Sequence, residues 1–172
     1  MSTEGLRGLT ARGVARRIGY TIGTIYNLFE NLDDLIIHLN STTLDSLYEA
    51  VSSESAGKEP EAALRAYARR YMEYTSKNPR LWRAVFEHQL PNGQEVPDWY
   101  EAHVLRLLGL AEEALKPFFR PGEEVERLHH ARVLWGSLYG ICSLAESRSL
   151  PSTESATGLV DTLIDNYVAA LR

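Results

Sequence analysis

The amino-acid sequence predicts an all-α chain, a short N-terminal helix-turn-helix module joined to a larger helical domain. Three observations predict it. Apolar residues recur three and four apart in segment after segment, with no run of strict alternation to suggest strands. Residues that start and stop helices fall at the ends of those segments. And two of the segments, near the start, are short and joined by a tight glycine turn.

Taken in order, Thr10 caps a helix to Arg17, with Val14 and Ile18 one turn apart on its inner face. Gly19-Tyr20 is the turn, since glycine accepts the positive φ that follows a helix end. Thr21 caps a second helix, Ile22 to Phe29, on which Ile25 and Phe29 share a face. Asn31 opens a longer helix, with Asp34 three residues on completing part of a capping box. Leu35, Leu39, Leu44, Leu47 and Val51 continue it to a polar break over Ser52 to Glu59. Pro60 suits the first turn of the next helix, which Asn78-Pro79 ends. A short amphipathic helix over Leu81 to Leu90 and a loop from Pro91 to Pro97 follow. Asp98 caps a helix to about Phe119, and Arg120-Pro121-Gly122 breaks it. Glu123 to Ser147 is the longest helical stretch, Leu150 to Ser155 a loop, and Ala156 to Leu171 the last helix. The boundary between residues 1–45 and 46–172 falls inside the helix that Asn31 opens, so the two parts are expected to be mechanically joined.

Composition narrows the class. At 172 residues and 44% apolar, the chain holds one domain or a small module fused to a larger one. No apolar run approaches the roughly 20 residues that span a bilayer, and no signal peptide opens the chain. Cys142 is the single cysteine, which fits a reducing, cytoplasmic setting. The net charge of −5 is unevenly spread. Residues 1–30 carry Arg7, Arg12, Arg16 and Arg17 against Glu4 and Glu30, a balance of +2 that leaves −7 for the rest. A cationic end on an acidic body can orient a protein on nucleic acid, although four arginines also cluster by chance.

The stretch Leu9 to Leu35, LTARGVARRIGYTIGTIYNLFENLDDL, resembles the DNA-binding module of the TetR family of transcriptional regulators. Leu9-Thr10, Ala15, Gly19, Thr21, Gly23, Thr24, Ile25, Tyr26, Phe29 and Leu35 fall on the family pattern without a gap. The resemblance implies operator DNA as a partner and assigns roles. Thr10 and Thr21 start helices whose free amides suit phosphate. Gly23 lets the second helix approach the groove, and Thr24 and Asn27 face base edges. Tyr26 matches the family's phosphate-contacting tyrosine, and Arg12 and Arg16 are candidate backbone contacts. Ile22 and Leu32 stand where lysines are common, so two phosphate contacts are in question; Ile22 can instead meet a thymine methyl. The family carries one more helix ahead of this stretch, and Met1 to Gly8 is too short to form it. Val14, Ile18, Ile25 and Leu28 are therefore expected to be short of cover, and a helical ligand-binding dimer that has lost DNA binding is the alternative.

In the larger domain, Leu134-Trp135-Gly136-Ser137-Leu138-Tyr139-Gly140 resembles the Trp-His-Gly signature of one TetR subfamily, with Tyr139 in the histidine's place. The resemblance implies a homodimer formed by the last two helices, through the apolar faces Val133, Leu134, Leu138, Ile141 and Leu144, and Leu159, Leu163, Ile164 and Tyr167. It also implies a pocket among the central helices for an apolar or aromatic small-molecule effector. Tyr71, Tyr74, Trp82, Phe86, Trp99, His103 and Trp135 are the candidates to line it, although aromatic residues at helical spacing equally suit a plain core. Gly136 and Gly140, four apart, admit a close helix neighbour.

No catalytic, metal or cofactor site is expected. His129 and His130 diverge by about 100° on a helix, so they cannot share an ion. Glu126 and His130 form at most a surface pair, and Cys142 reads as a buried small hydrophobe, with redox sensing the alternative. The expected function is a ligand-responsive repressor that binds operator DNA as a homodimer and is released by a small molecule, not an enzyme.

Overall fold

The computed structural model describes residues 5–55 and 58–171. Among them are eight α-helices and no strand. They are α1 (Ala11–Ile18), α2 (Ile22–Leu28), α3 (Leu32–Ser55), α4 (Pro60–Lys77), α5 (Pro79–Glu87), α6 (Asp98–Leu115), α7 (Glu124–Glu146) and α8 (Ala156–Leu171). Short 3-10 turns occupy Gly5–Gly8, Pro91–Gly93 and Lys116–Phe118. The chain packs as two compact units, Met1–Asp45 with Pro79–His103, and Ser46–Asn78 with Val104–Arg172.

The first unit is built from the caps the sequence announces. The Thr10 side chain accepts from the Gly13 amide at 3.1 Å, and Thr21 accepts from the Thr24 amide at 3.3 Å. Gly19 between them has φ 79, the left-handed conformation that a residue with a Cβ resists. Asn31 accepts from the Asp34 amide and Asp34 accepts from the Glu30 amide, both at 2.9 Å, so α3 starts on a reciprocal pair. Ala11, Ala15, Ile25 and Leu35 form the small core under the helix pair, with Val14, Phe29 and Leu32 against it. Of the four residues expected to be short of cover, Ile25 is buried and Val14 half-buried. Ile18, expected on the inner face, is 54% exposed and Leu28 is 70% exposed. Further along, Asn40 is buried and donates to the Ala84 carbonyl at 3.0 Å, tying α3 to α5.

The second unit places α4 against both α7 and α8. Leu64, Tyr67, Ala68 and Tyr71 of α4 are fully buried, as are Leu134 and Leu138 of α7 and Val160 of α8. At the rim Arg69 grips Asp161 with two hydrogen bonds of 3.0 Å, Arg65 pairs with Glu61 and Asp165, and Arg127 joins α7 to Glu112 of α6. Exposed pairs of this kind contribute about 0–1 kcal/mol each, so the apolar interior carries the unit.

Four helix ends differ from expectation. The polar run from Ser52 does not break α3, which continues to Ser55; residues 56–57 of that run lie outside the described residues. Ser52 and Ser53 donate to the carbonyls of Glu49 and Ala50, so their hydroxyls ride along the helix they were expected to end. α5 begins at Pro79, a proline suited to a first turn, and ends at Glu87. α6 stops at Leu115, because Pro117 has no amide to continue it.

Candidate functional site

The α1–α2 pair presents a cationic surface with no acid of its own. No aspartate or glutamate occurs between Leu9 and Phe29. Arg12, Arg16 and Arg17 of α1 are exposed, and none of them takes part in an ion pair among the described residues. The larger unit behaves differently: Arg65, Arg69, Arg70 and Arg127 are each matched to a carboxylate. Unpaired guanidinium groups on a rigid helix are free to meet phosphate without first breaking an internal contact.

The predicted reading residues lie on the outside of α2 and at its start. Tyr26 is 52% exposed and Ile22 38% exposed, and Asn27, Gly23, Thr21 and Thr10 are exposed too. Asn27 makes no hydrogen bond within the described residues, so its amide is available in both senses. Thr24 is only partly exposed, and its hydroxyl lies 3.1 Å from that of Thr21. The cap therefore competes with any base contact from Thr24, a use of the side chain that spacing did not reveal. A Cβ built on Gly23 would meet only the Thr21 hydroxyl, at 3.6 Å. Nothing inside the chain requires glycine there.

The seven aromatic candidates divide between the units. Tyr71, Tyr74 and Trp135 belong to the larger one, and Trp82, Phe86, Trp99 and His103 to the smaller. Trp82 is buried and meets Phe86 edge-on at 4.6 Å. Trp99, 39% exposed, packs against His38 at 4.6 Å, and His103 pairs with Asp45 at 2.8 Å. In the larger unit Tyr71 is fully buried and stacks with Tyr67, their ring centroids 6.4 Å apart. Burial pushes both phenols well above the usual tyrosine range. Trp135 stacks along α7 with Tyr139, their ring centroids 6.4 Å apart. Tyr67 did not stand out in sequence, because its phenol reads as one more apolar position of α4.

Two of the residues assigned to a dimer seam are corrected. Leu134 and Leu138 are fully buried within the single chain, on the side of α7 that its own unit covers, so they cannot meet a second copy. Tyr167 donates to the His130 carbonyl at 2.7 Å, and its hydroxyl sits 2.8 Å from His130 Nδ1, which spends it on the α7–α8 contact. Burial pushes this phenol up to about 12. Leu159, Leu163 and Ile141 keep partial exposure. The opposite side of α7 carries Val133 and Leu144, exposed at 46% and 47%, on one line with Gly140 and beside Gly136. Apart from their own helix backbone and chain neighbours, no atom of the described residues lies within 4 Å of where a Cβ on either glycine would stand.

Among the described residues no group of three His, Cys, Asp or Glu could hold a metal ion, and no helix is long and apolar enough to cross a membrane. Cys142 is buried; desolvation raises its thiol above the ordinary range, and a hydrogen bond with Thr75 offsets part of this.

A short helix pair with a capped turn, followed by a bundle of longer helices, is a fold shared with solved transcriptional regulators. FadR of Bacillus halodurans, a fatty acid degradation regulator, matches with a TM-score of 0.72 at 18% identity, over 98% of this chain and 92% of that one. The TetR family transcriptional regulator PfmR of Thermus thermophilus matches at 0.65 and 14% identity, over 95% and 89%. A Rhodococcus sp. RHA1 protein of unknown function matches at 0.79 and 18%, over 98% and 87%. At these identities the likeness establishes the fold alone. Among curated proteins none matches the sequence significantly. The profile of the Tetracyclin repressor-like C-terminal domain, however, matches residues 64–167. The chain belongs to the TetR family.

Proposed function

We propose that the chain is a ligand-responsive transcriptional repressor of the cytoplasm, which binds operator DNA as a homodimer and is released by a small molecule. Residues 1–45 act as the DNA-binding module and residues 46–172 as the ligand-binding and dimerisation domain. The observation that carries this reading is the α1–α2 surface: three exposed arginines without an ion-pair partner among the described residues, beside an exposed Tyr26 and an Asn27 side chain uncommitted among them. Dimerisation through α7 and α8 is supported by the exposed Val133 and Leu144 around two glycines whose outer side no other described part of the chain covers within 4 Å. Effector binding is assigned to the aromatic interior of the larger unit, around Tyr71 and Trp135. α3 is the route of response, since one unbroken helix leads from beside the α1–α2 pair to Ser55. A ligand can act only through a different affinity for the DNA-competent and DNA-incompetent arrangements.

A second reading, a helical ligand-binding dimer without DNA affinity, is favoured by Ile18 and Leu28, whose exposure leaves the helix pair thinly supported. Selection of fragments from the source genome separates the two. Enrichment of a near-palindromic site is the expected result. Failure to enrich any sequence by a folded protein selects the second reading.

A further inference from the structure

The interior of the larger unit holds a hydroxyl with nothing to bond. Tyr67 is fully buried on α4, and its hydroxyl oxygen has no hydrogen-bond partner among the described residues. Buried polar atoms in native proteins are almost always paired, because an unpaired one keeps the full cost of leaving water. The residues buried in this unit, Tyr71, Thr75, Cys142 and otherwise hydrocarbon side chains, include no lysine, arginine, histidine, aspartate or glutamate. The Thr75 hydroxyl donates to the Met72 carbonyl at 2.9 Å.

We infer that Tyr67 is the polar anchor for the effector, and that the effector is a neutral, largely apolar molecule offering the Tyr67 hydroxyl a carbonyl or ether oxygen. This rests on the ligand-binding role proposed above. The hydroxyl stays protonated at any working pH, since burial raises its ionisation further, so it arrives as a donor and calls for an acceptor. A carboxylate or ammonium ligand would sit in this interior with no opposite charge, which is costly.

The test uses the full chain and three probes of one shape: 2-acetonaphthone, 2-ethylnaphthalene and 2-naphthoate. Calorimetric titration of the natural protein is expected to show the ketone binding about tenfold more tightly than the hydrocarbon and the carboxylate weakest. Tyr67→Phe is expected to bring the ketone down to the hydrocarbon's affinity. Without any probe, the same variant is expected to melt at the same temperature as the natural protein or higher, because it removes an unpaired group. A lower melting temperature shows that the hydroxyl has a partner in the unliganded protein and overturns the inference. Equal binding of ketone and hydrocarbon, tightest binding by naphthoate, or a ketone preference that survives Tyr67→Phe overturns it too, while leaving an effector site in place. If none of the three probes binds, the hydrocarbon included, the ligand-binding reading itself fails and this inference with it.

Discussion

Replacing Arg12, Arg16 and Arg17 together by alanine is expected to abolish useful DNA affinity while leaving the fold intact. The three side chains are exposed and make no ion pair among the described residues, so their loss removes no contact that the described part of the first unit depends on. Alanine also favours the helix they stand on. On DNA the balance reverses. Each phosphate contact releases counterions, and log affinity falls with log salt by about 0.9 per contact. A dimer that loses three such residues on each subunit should lose about five units of that slope and at least about a hundredfold in affinity at moderate salt. Fluorescence anisotropy over a salt series reads both quantities. An unchanged slope would remove α1 from the interface.

Gly140→Trp is expected to give a folded monomer. Beyond its own helix backbone and chain neighbours, no atom of the described residues lies within 4 Å of a Cβ placed there, so the indole has room in the isolated subunit and is a better helix residue than glycine. In a dimer that closes on Val133, Gly140 and Leu144 the same indole must be overpacked, which costs about 1–3 kcal/mol per site. Sedimentation equilibrium should then find the 19.4 kDa species at concentrations where the natural protein is twice that mass. Leu138→Glu gives the contrast. It places an unpaired carboxylate in a fully buried site and is expected to unfold the chain instead of separating it. A dimeric Gly140→Trp variant would move the interface off this face of α7.

The helix ends were legible in the sequence because they depend on local chemistry. Thr10, Gly19, Thr21 and Asn31 act within three or four residues of themselves, and each does in the structure what its type and position imply. The break at Ser52 was misread for the same local reason: a serine run suits a loop, yet its hydroxyls also bond the helix carbonyl one turn back. The sides of α7 were not legible. Leu134 and Leu138 fit a buried seam equally well whether the covering helix belongs to the same chain or to another, and only the packing of α4 and α8 decides. Tyr67 was invisible because periodicity counts a tyrosine as core and says nothing of its hydroxyl.

The central claim is that the outer face of α2 reads DNA. The most direct measurement is a specificity profile, affinity for every single-base variant of the selected operator, for the natural protein beside Asn27→Ala and Tyr26→Phe. Asn27→Ala is predicted to relax preference by about 1–3 kcal/mol at one base pair in each half-site and to leave the others unchanged. Tyr26→Phe is predicted to weaken binding to every variant alike, as the loss of a phosphate contact does. Profiles for both variants that match the natural protein's would show that α2 does not face the bases, and the account would be contradicted.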